Sequence, residues 1–260
     1  MQHIPEQAEI PSSTIEQHPP VLAFSTTGST SPGQLTKSPV QSNSAIPAID
    51  GQNLANGFGV LGASKSGDGV HGESSGDTMS AVAGIHYGAG KGIYGRSARG
   101  DAGYFEGNVV VNGDLVVTGD VRLGGQDCAE SFECGEKEQL EPGTVVVAAD
   151  DGRVRQSSQR YDKRVVGVVA GAGTFKPGLI LVGPQAAGSV AAIALMGRVF
   201  CKVDACDAPI QVGDLLTTSG STGRAMRASD ETRMAGTVIG KALASHAAGH
   251  GMIPILVGLK

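Results

Sequence analysis

The sequence predicts an all-β protein: an intertwined, glycine-rich β shaft of helix-like repeats leading into a compact C-terminal β-barrel or sandwich. Three observations carry that expectation. Glycine supplies 40 of 260 residues, about twice the usual share, which goes with tight turns and closely approaching backbones. The unit G-x-G-[VI]-x-G recurs as "GFGVLG" (57–62), "GDGVHG" (67–72) and "GKGIYG" (90–95), with a degenerate relative in "GDAGYFEG" (100–107). Three copies in so short a stretch make a repeat, where one would mean little. Beyond residue 126, seven short β-branched runs alternate with turn signals, and no long amphipathic pattern interrupts them.

Composition narrows the function classes. Apolar residues make up 40% of the chain, yet it holds no Trp, 4 Tyr and 6 Phe, so a large aromatic-rich core is not expected. The formal charge is −5 and the densest basic run is "RYDKR" (160–164), which does not describe a nucleic-acid surface. The opening "MQHIPEQAEI" has no basic segment followed by an apolar one, so no signal peptide is expected. The chain also has no apolar run of membrane-spanning length. Synthesis in the cytoplasm without membrane insertion is the expectation, with any extracellular role reached by lysis or by incorporation into a particle.

Residues 1–50 contain seven of the twelve prolines and only two glycines. This composition reads as an extended arm, either a linker or an attachment segment with "VLAF" (Val21 to Phe24) as an apolar anchor. Residues 51–126 form the shaft. Its glycine-rich hexamers are not phosphate loops: none follows a buried strand and opens a helix, and "GAGKGIYG" lacks the hydroxyl residue after Gly-Lys. No nucleotide or other cofactor is expected. The shaft ends in "VVVNGDLVVTGDVRLGGQ" (109–126), apolar triplets broken by Gly-Asp turns. Strands so short cannot bury themselves within one chain, which points to several chains around a common axis, a homotrimer above all.

Residues 127–260 read as a globular β domain. Strands are expected at 143–149, 164–171, 178–183, 189–204, 214–219, 235–243 and 252–259. Turns are expected at "ADDGR", "KPG", "QVGD" and "SGSTG", and a short helical turn in "SDETRMAG" (229–236). The four cysteines, Cys128, Cys134, Cys201 and Cys206, fall into two close pairs whose spacing is not that of zinc knuckles, and no histidine lies near them in sequence. Reduced thiols and no metal site are therefore expected. His71 and His86 occupy repeat positions equivalent to Tyr94 and read as packing or surface residues. "YDKR" (161–164) carries the charges best suited to bridge chains or to orient an acid pair.

The junction "GGQDCAESFE" (124–133) places Asp127 and Glu130 three residues apart around Cys128. Taken in order, the "GVHG/GIYG" shaft, "YFEGNVVVNGDLVVTGDVRL", "DCAESFE", "LEPGTVVV" and "YDKRVVGVV" resemble bacteriophage tail-spike, tail-fibre and neck-appendage proteins and their equivalents in phage-like particles. The likeness is to members with a C-terminal intramolecular chaperone that cleaves itself off, and it runs from about residue 57 to 260. It implies a scissile bond between Gln126 and Asp127 with Asp127 and Glu130 as the acid pair. Gln126 stands where the pattern has serine.

The chemistry has its own logic. Peptide hydrolysis needs one group to take a proton from water and another to protonate the leaving nitrogen, so two carboxyls of unequal pKa suffice. Crowding acids near a trimer axis separates their pKa values by burial and repulsion. Two other readings remain open: the acids solvate the start of a domain, or Cys128 is a nucleophile served by His246 or His250. The leading functional reading is a trimeric structural appendage, attached to a baseplate or tail by its arm and released from its C-terminal domain by one self-cleavage. The alternative is an uncut receptor-binding spike whose C-terminal β domain is the binding tip. A hydrolase acting on other molecules is disfavoured, because the shaft shows no second set of catalytic groups.

Overall fold

A computed structural model describes residues 49–135, 140–182 and 189–258. The expected attachment arm, Val21 to Phe24 included, lies outside the described residues. The chain divides into two compact units, residues 1–107 and 108–260. Among the described residues the regular structure is β throughout, apart from one 3-10 turn at Glu231–Arg233, and there is no α-helix.

From 49 to 107 the backbone bends repeatedly without forming a strand, and every residue is exposed. Its regularity lies in glycine contacts. A Cβ on Gly62 would stand 2.5 Å from the carbonyl oxygen of Gly69, on Gly84 2.5 Å from that of Gly92, and on Gly95 2.6 Å from that of Ala102. The last glycine of one unit thus abuts the central residue of the next, too closely for any side chain. Gly72 meets Ala81 in the same way, at 3.0 Å. Hence "AVAG" (81–84) is a further repeat unit, hidden from the hexamer pattern because alanine replaces its central glycine. His86 Nδ1 accepts from the Gly88 and Gly90 amides at 2.9 and 3.2 Å, and His71 lies 3.1 Å from both Asp68 and Glu73. Both histidines serve local surface contacts, as expected.

In the second unit the triplets at 109–111, 115–117 and 121–123 form no strand within one chain, and all are exposed. Among the described residues the globular part holds ten strands: β1 (Asp127–Glu133), β2 (Val145–Ala148), β3 (Val154–Gln156), β4 (Val165–Val169), β5 (Pro177–Leu181), β6 (Val190–Ala205), β7 (Leu215–Thr218), β8 (Ala225–Arg227), β9 (Val238–Ala242) and β10 (Gly249–Val257). Pairing runs β6, β8, β7, β9, β10 and back to β6, so five strands close a barrel and remove its edges. The second half of β6 belongs to that barrel. Its first half pairs with β1 and β4, and β4 carries β2 and β3. β5 hangs on β1 in parallel, at an edge.

The core is small and aliphatic, with Val145, Val168, Val199, Val203, Ile210, Leu216 and Ile255 among its buried side chains and no aromatic ring. That agrees with the aromatic-poor composition. All seven expected strands are present, and Glu231–Arg233 is the expected short helical turn. "KPG" is not a turn: Pro177 and Gly178 open β5, where proline is tolerated as the first residue of an edge strand.

Candidate functional site

Three of the ten strands were not expected, and the most consequential is β1, the junction itself. "DCAESFE" has little strand character, yet it is held on both sides, antiparallel to β6 and parallel to β5. The register shifts beside Asp127 and Cys128 against β5, and beside Cys128 and Ala129 against β6. Such bulges recur where a sheet re-aims side chains for function.

Gln126 precedes β1, and three hydrogen bonds tie it to residues 176 and 198. Its amide donates to the Lys176 carbonyl at 2.9 Å, its own carbonyl accepts from the Arg198 amide at 2.9 Å, and its side-chain Oε1 accepts from the Lys176 amide at 3.1 Å. Glutamine at this position therefore has a structural reason, since it pairs with backbone that a serine could not reach in the same way. The Arg198 amide also polarises the carbonyl of the Gln126–Asp127 bond. One donor of this kind is the minimal form of an oxyanion-stabilising arrangement.

Asp127 is 6% exposed, and neither carboxyl oxygen has a hydrogen-bond partner among the described residues. Burial without compensation disfavours the charged form and pushes the Asp127 pKa above the ordinary carboxylate range. Glu130 is half-buried. Because β1 alternates, Asp127 and Ala129 share one face while Cys128, Glu130 and Phe132 share the other. Ala129 joins the main core and Phe132 packs on a smaller cluster of Cys134, Val146, Val154, Val169 and Ile193. One chain thus sets the two carboxyls on opposite faces of a strand and does not bring them together.

Gly197, in the middle of β6, faces the junction. Its φ is +108°, and a Cβ there would lie 2.5 Å from the Gln126 carbonyl oxygen and 2.7 Å from Asp127 Cα. Both neighbours are backbone and cannot swing aside. Gly197→Ala is expected to cost at least about 2 kcal/mol through overpacking and strain, seen as a lowering of the thermal unfolding midpoint by several degrees. An unchanged midpoint would mean that β6 and the junction separate freely.

The other candidates lie elsewhere. Cys128 is half-buried and makes no hydrogen bond to a histidine among the described residues. Cys201 is buried in the barrel, which pushes its thiol up to about 12, and none of the four cysteines is joined in a disulfide. Within "YDKR", Tyr161, Asp162 and Arg164 make contacts within their own chain. The Tyr161 hydroxyl accepts from the Ser229 and Asp230 amides at 2.9 and 2.8 Å, and the Arg233 guanidinium covers its ring at 4.5 Å. Asp162 is buried and takes a two-pronged ion pair from Arg164, which outweighs its burial and lowers its pKa.

No family model matches the chain, and no curated protein matches it. Solved structures similar to it include three from bacteriophage phi29. The pre-mature gene product 12 is 14% identical with a TM-score of 0.42, covering 56% of this chain and 24% of that one. The gene product 12 C-terminal fragment is 15% identical with a TM-score of 0.35, covering 50% and 99%. The N base of head fibre gp8.5 is 19% identical with a TM-score of 0.26, covering 49% and 92%. The chain spans about a quarter of the length of the pre-mature gene product 12.

Proposed function

We propose that this chain is a structural appendage of a phage or phage-like particle. It works as a homotrimer attached through residues 1–50, with residues 51–126 as an intertwined β shaft. Residues 127–260 bring the three chains into register and then release themselves by hydrolysis of the Gln126–Asp127 bond. The observation that carries this reading is the apolar surface a single chain leaves open. Phe58, Val60, Ile85, Ile93, Val110 and Val116 are all more than 60% exposed, along a segment with no strand of its own. Soluble monomers rarely tolerate so continuous an apolar run, and copies of the same chain are the partners that match its repeat.

The globular domain adds support. β5 is an edge strand on which Leu179, Ile180 and Leu181 are exposed in succession, with Val182 just beyond. An apolar edge of this kind is a template for another chain. Intertwined pairing is non-local and slow to nucleate, so a domain that folds by itself and gathers three chain ends speeds the shaft. Glu130 is paired beside Leu181 of that edge, where an incoming chain would meet it.

Cleavage then follows from the junction. Buried Asp127, in its protonated form, supplies a proton to its own backbone nitrogen as the C–N bond breaks. Glu130 of a neighbouring chain takes a proton from the attacking water, whose oxygen bonds to the Gln126 carbonyl carbon. The Arg198 amide stabilises the charge that develops on the carbonyl oxygen. The products are a carboxyl group on Gln126 and an amine on Asp127, so each chain reacts once.

One observation favours the uncut binding spike instead: an open cavity of about 710 Å³ between Lys163, Val165, Leu215, Met234, Val238 and Lys241. Its apolar floor and two ammonium groups suit an amphiphilic anion. The reading as a whole is tested by the native mass of the full-length protein, for which three chains are expected. A monomer at micromolar concentration would sink both the shaft and the cross-chain chemistry.

A further inference from the structure

We propose that Asp204, Cys206 and His250 form a binding site for a zinc-type divalent cation at the end of the barrel. The inference rests on residues of one chain and holds whether or not the chain trimerises or cuts itself.

Sequence spacing pointed away from a metal because His250 is distant from Cys206 along the chain. The barrel removes that distance. β10 runs antiparallel to β6 with His250 directly opposite Asp204, and Cys206 lies two residues after Asp204, in the bend just past the end of β6. One ligand atom from each of the three lies within 4.8 Å of the others, and His250 Nε2 is 3.8 Å from Asp204 Oδ1. Ligands around tetrahedral zinc stand roughly 3.2–3.7 Å apart, given Zn–N and Zn–O near 2.0–2.1 Å and Zn–S near 2.3 Å. The trio closes to that spacing by a contraction of about 1 Å, within reach of the exposed side chains of Cys206 and His250.

The surroundings prepare the ligands. The Ser219 hydroxyl donates to Asp204 Oδ2 at 2.6 Å and the Cys206 amide to Oδ1 at 3.0 Å, which fixes the carboxylate with Oδ1 as the oxygen nearer His250. Ser221 Oγ lies 3.3 Å from His250 Nε2, a contact that a cation on Nε2 would replace, and the Ser221 amide donates to Ser219 Oγ at 3.0 Å, so the 219–221 loop orients Asp204. The Cys206 thiol lies beside the Asp204 carboxylate, and a cation bound between them would take the thiol as thiolate, releasing its proton to solvent.

The donor set selects the ion. One carboxylate oxygen, one sulfur and one imidazole nitrogen suit zinc and its borderline neighbours, whereas calcium and magnesium require oxygen throughout. The nearby cations do not compete for the site: Arg160 is paired with Asp207, and Arg224 donates to the Val203 and Gly251 carbonyls at 3.4 Å. Three protein ligands leave a fourth position for water. The ion would tie the end of β6 to the start of β10, stabilising the native state in proportion to its occupancy.

The test is a Co²⁺ titration of the full-length protein, stripped with chelator and kept reduced, followed by displacement with Zn²⁺. One Co²⁺ per chain is expected, with a thiolate-to-metal charge-transfer band that Zn²⁺ abolishes and a thermal midpoint that rises with Zn²⁺ and falls back with chelator. Cys206→Ser should remove the band, and both it and His250→Ala should weaken Zn²⁺ binding at least about tenfold. Cys206→His, which keeps a nitrogen ligand, should bind Zn²⁺ while giving no thiolate band, which separates loss of a ligand from loss of fold. Absence of a saturable band, a band that survives Cys206→Ser, or Zn²⁺ affinity in Cys206→Ser and His250→Ala unchanged from the unaltered protein would overturn the assignment.

Discussion

Asp127→Ala is expected to leave every chain in one piece, and the unaltered protein is expected to resolve under denaturing conditions into residues 1–126 and 127–260. Glu130→Ala should do the same. Each positioned acid or base is worth about 10²–10⁴-fold in rate, so removing either converts a reaction complete during expression into one too slow to detect by intact mass. The pH dependence follows from burial. Asp127 has a raised pKa, so its proton-donating form persists above the ordinary carboxylate range, and cleavage slows as pH climbs through that raised value. The same shift has a stability consequence of determined sign. A carboxyl whose folded pKa is raised contributes stability that is complete below its unfolded pKa and lost as pH rises through the folded one. Asp127→Asn, neutral at every pH, should therefore unfold at a higher temperature than the unaltered chain at neutral pH while remaining uncut. Strand alternation adds a sharper requirement, since the two acids of one chain face opposite ways. Co-expressed Asp127→Ala and Glu130→Ala chains should recover part of the cleavage that each lacks alone. A single uncut mass for the unaltered protein would leave the C-terminal domain as a permanent tip and the acids as surface groups.

The strands rich in valine, isoleucine and leucine were legible because burial on a sheet demands those side chains and Gly-rich turns separate them. β3 and β8 span only three residues each, too few for a period to register. β1 was illegible for another reason: "DCAESFE" is a strand because β5 and β6 bracket it, and that bracketing is a tertiary fact. The spacing of Asp127 and Glu130 was misleading in isolation, since positions i and i+3 share a face on a helix and lie on opposite faces of a strand. Burial of Asp127 left no mark in the sequence. Gly197 did leave one, an isolated glycine inside the apolar run "ALMGRVF", which is the usual sign of a bulge or of close backbone approach. The nearness of His250 to Asp204 and Cys206 depends on β6–β10 register and could not be read from spacing.

Replacing Val110 and Val116 together by aspartate is expected to reduce the native mass from three chains to one. Both valines are more than 80% exposed in a single chain, so in a monomer the change is a surface substitution worth no more than about 0.5 kcal/mol. In a shaft with threefold symmetry the same substitution brings six carboxylates into an apolar seam, three at each level. An unpaired buried charge costs several kcal/mol, and like charges around one axis add repulsion that salt screens poorly once water is excluded. The effect is thus silent or decisive according to whether copies of the triplets meet. Loss of the trimer should carry loss of cleavage with it, because Asp127 and Glu130 of separate chains would no longer be adjacent. That coupling separates the two possible seats of assembly. If the double variant remains a trimer and still cuts, the β5 edge of the globular domain holds the chains together and the triplets at 109–117 remain open to solvent. If it falls to a monomer, those triplets are the strands of the shaft.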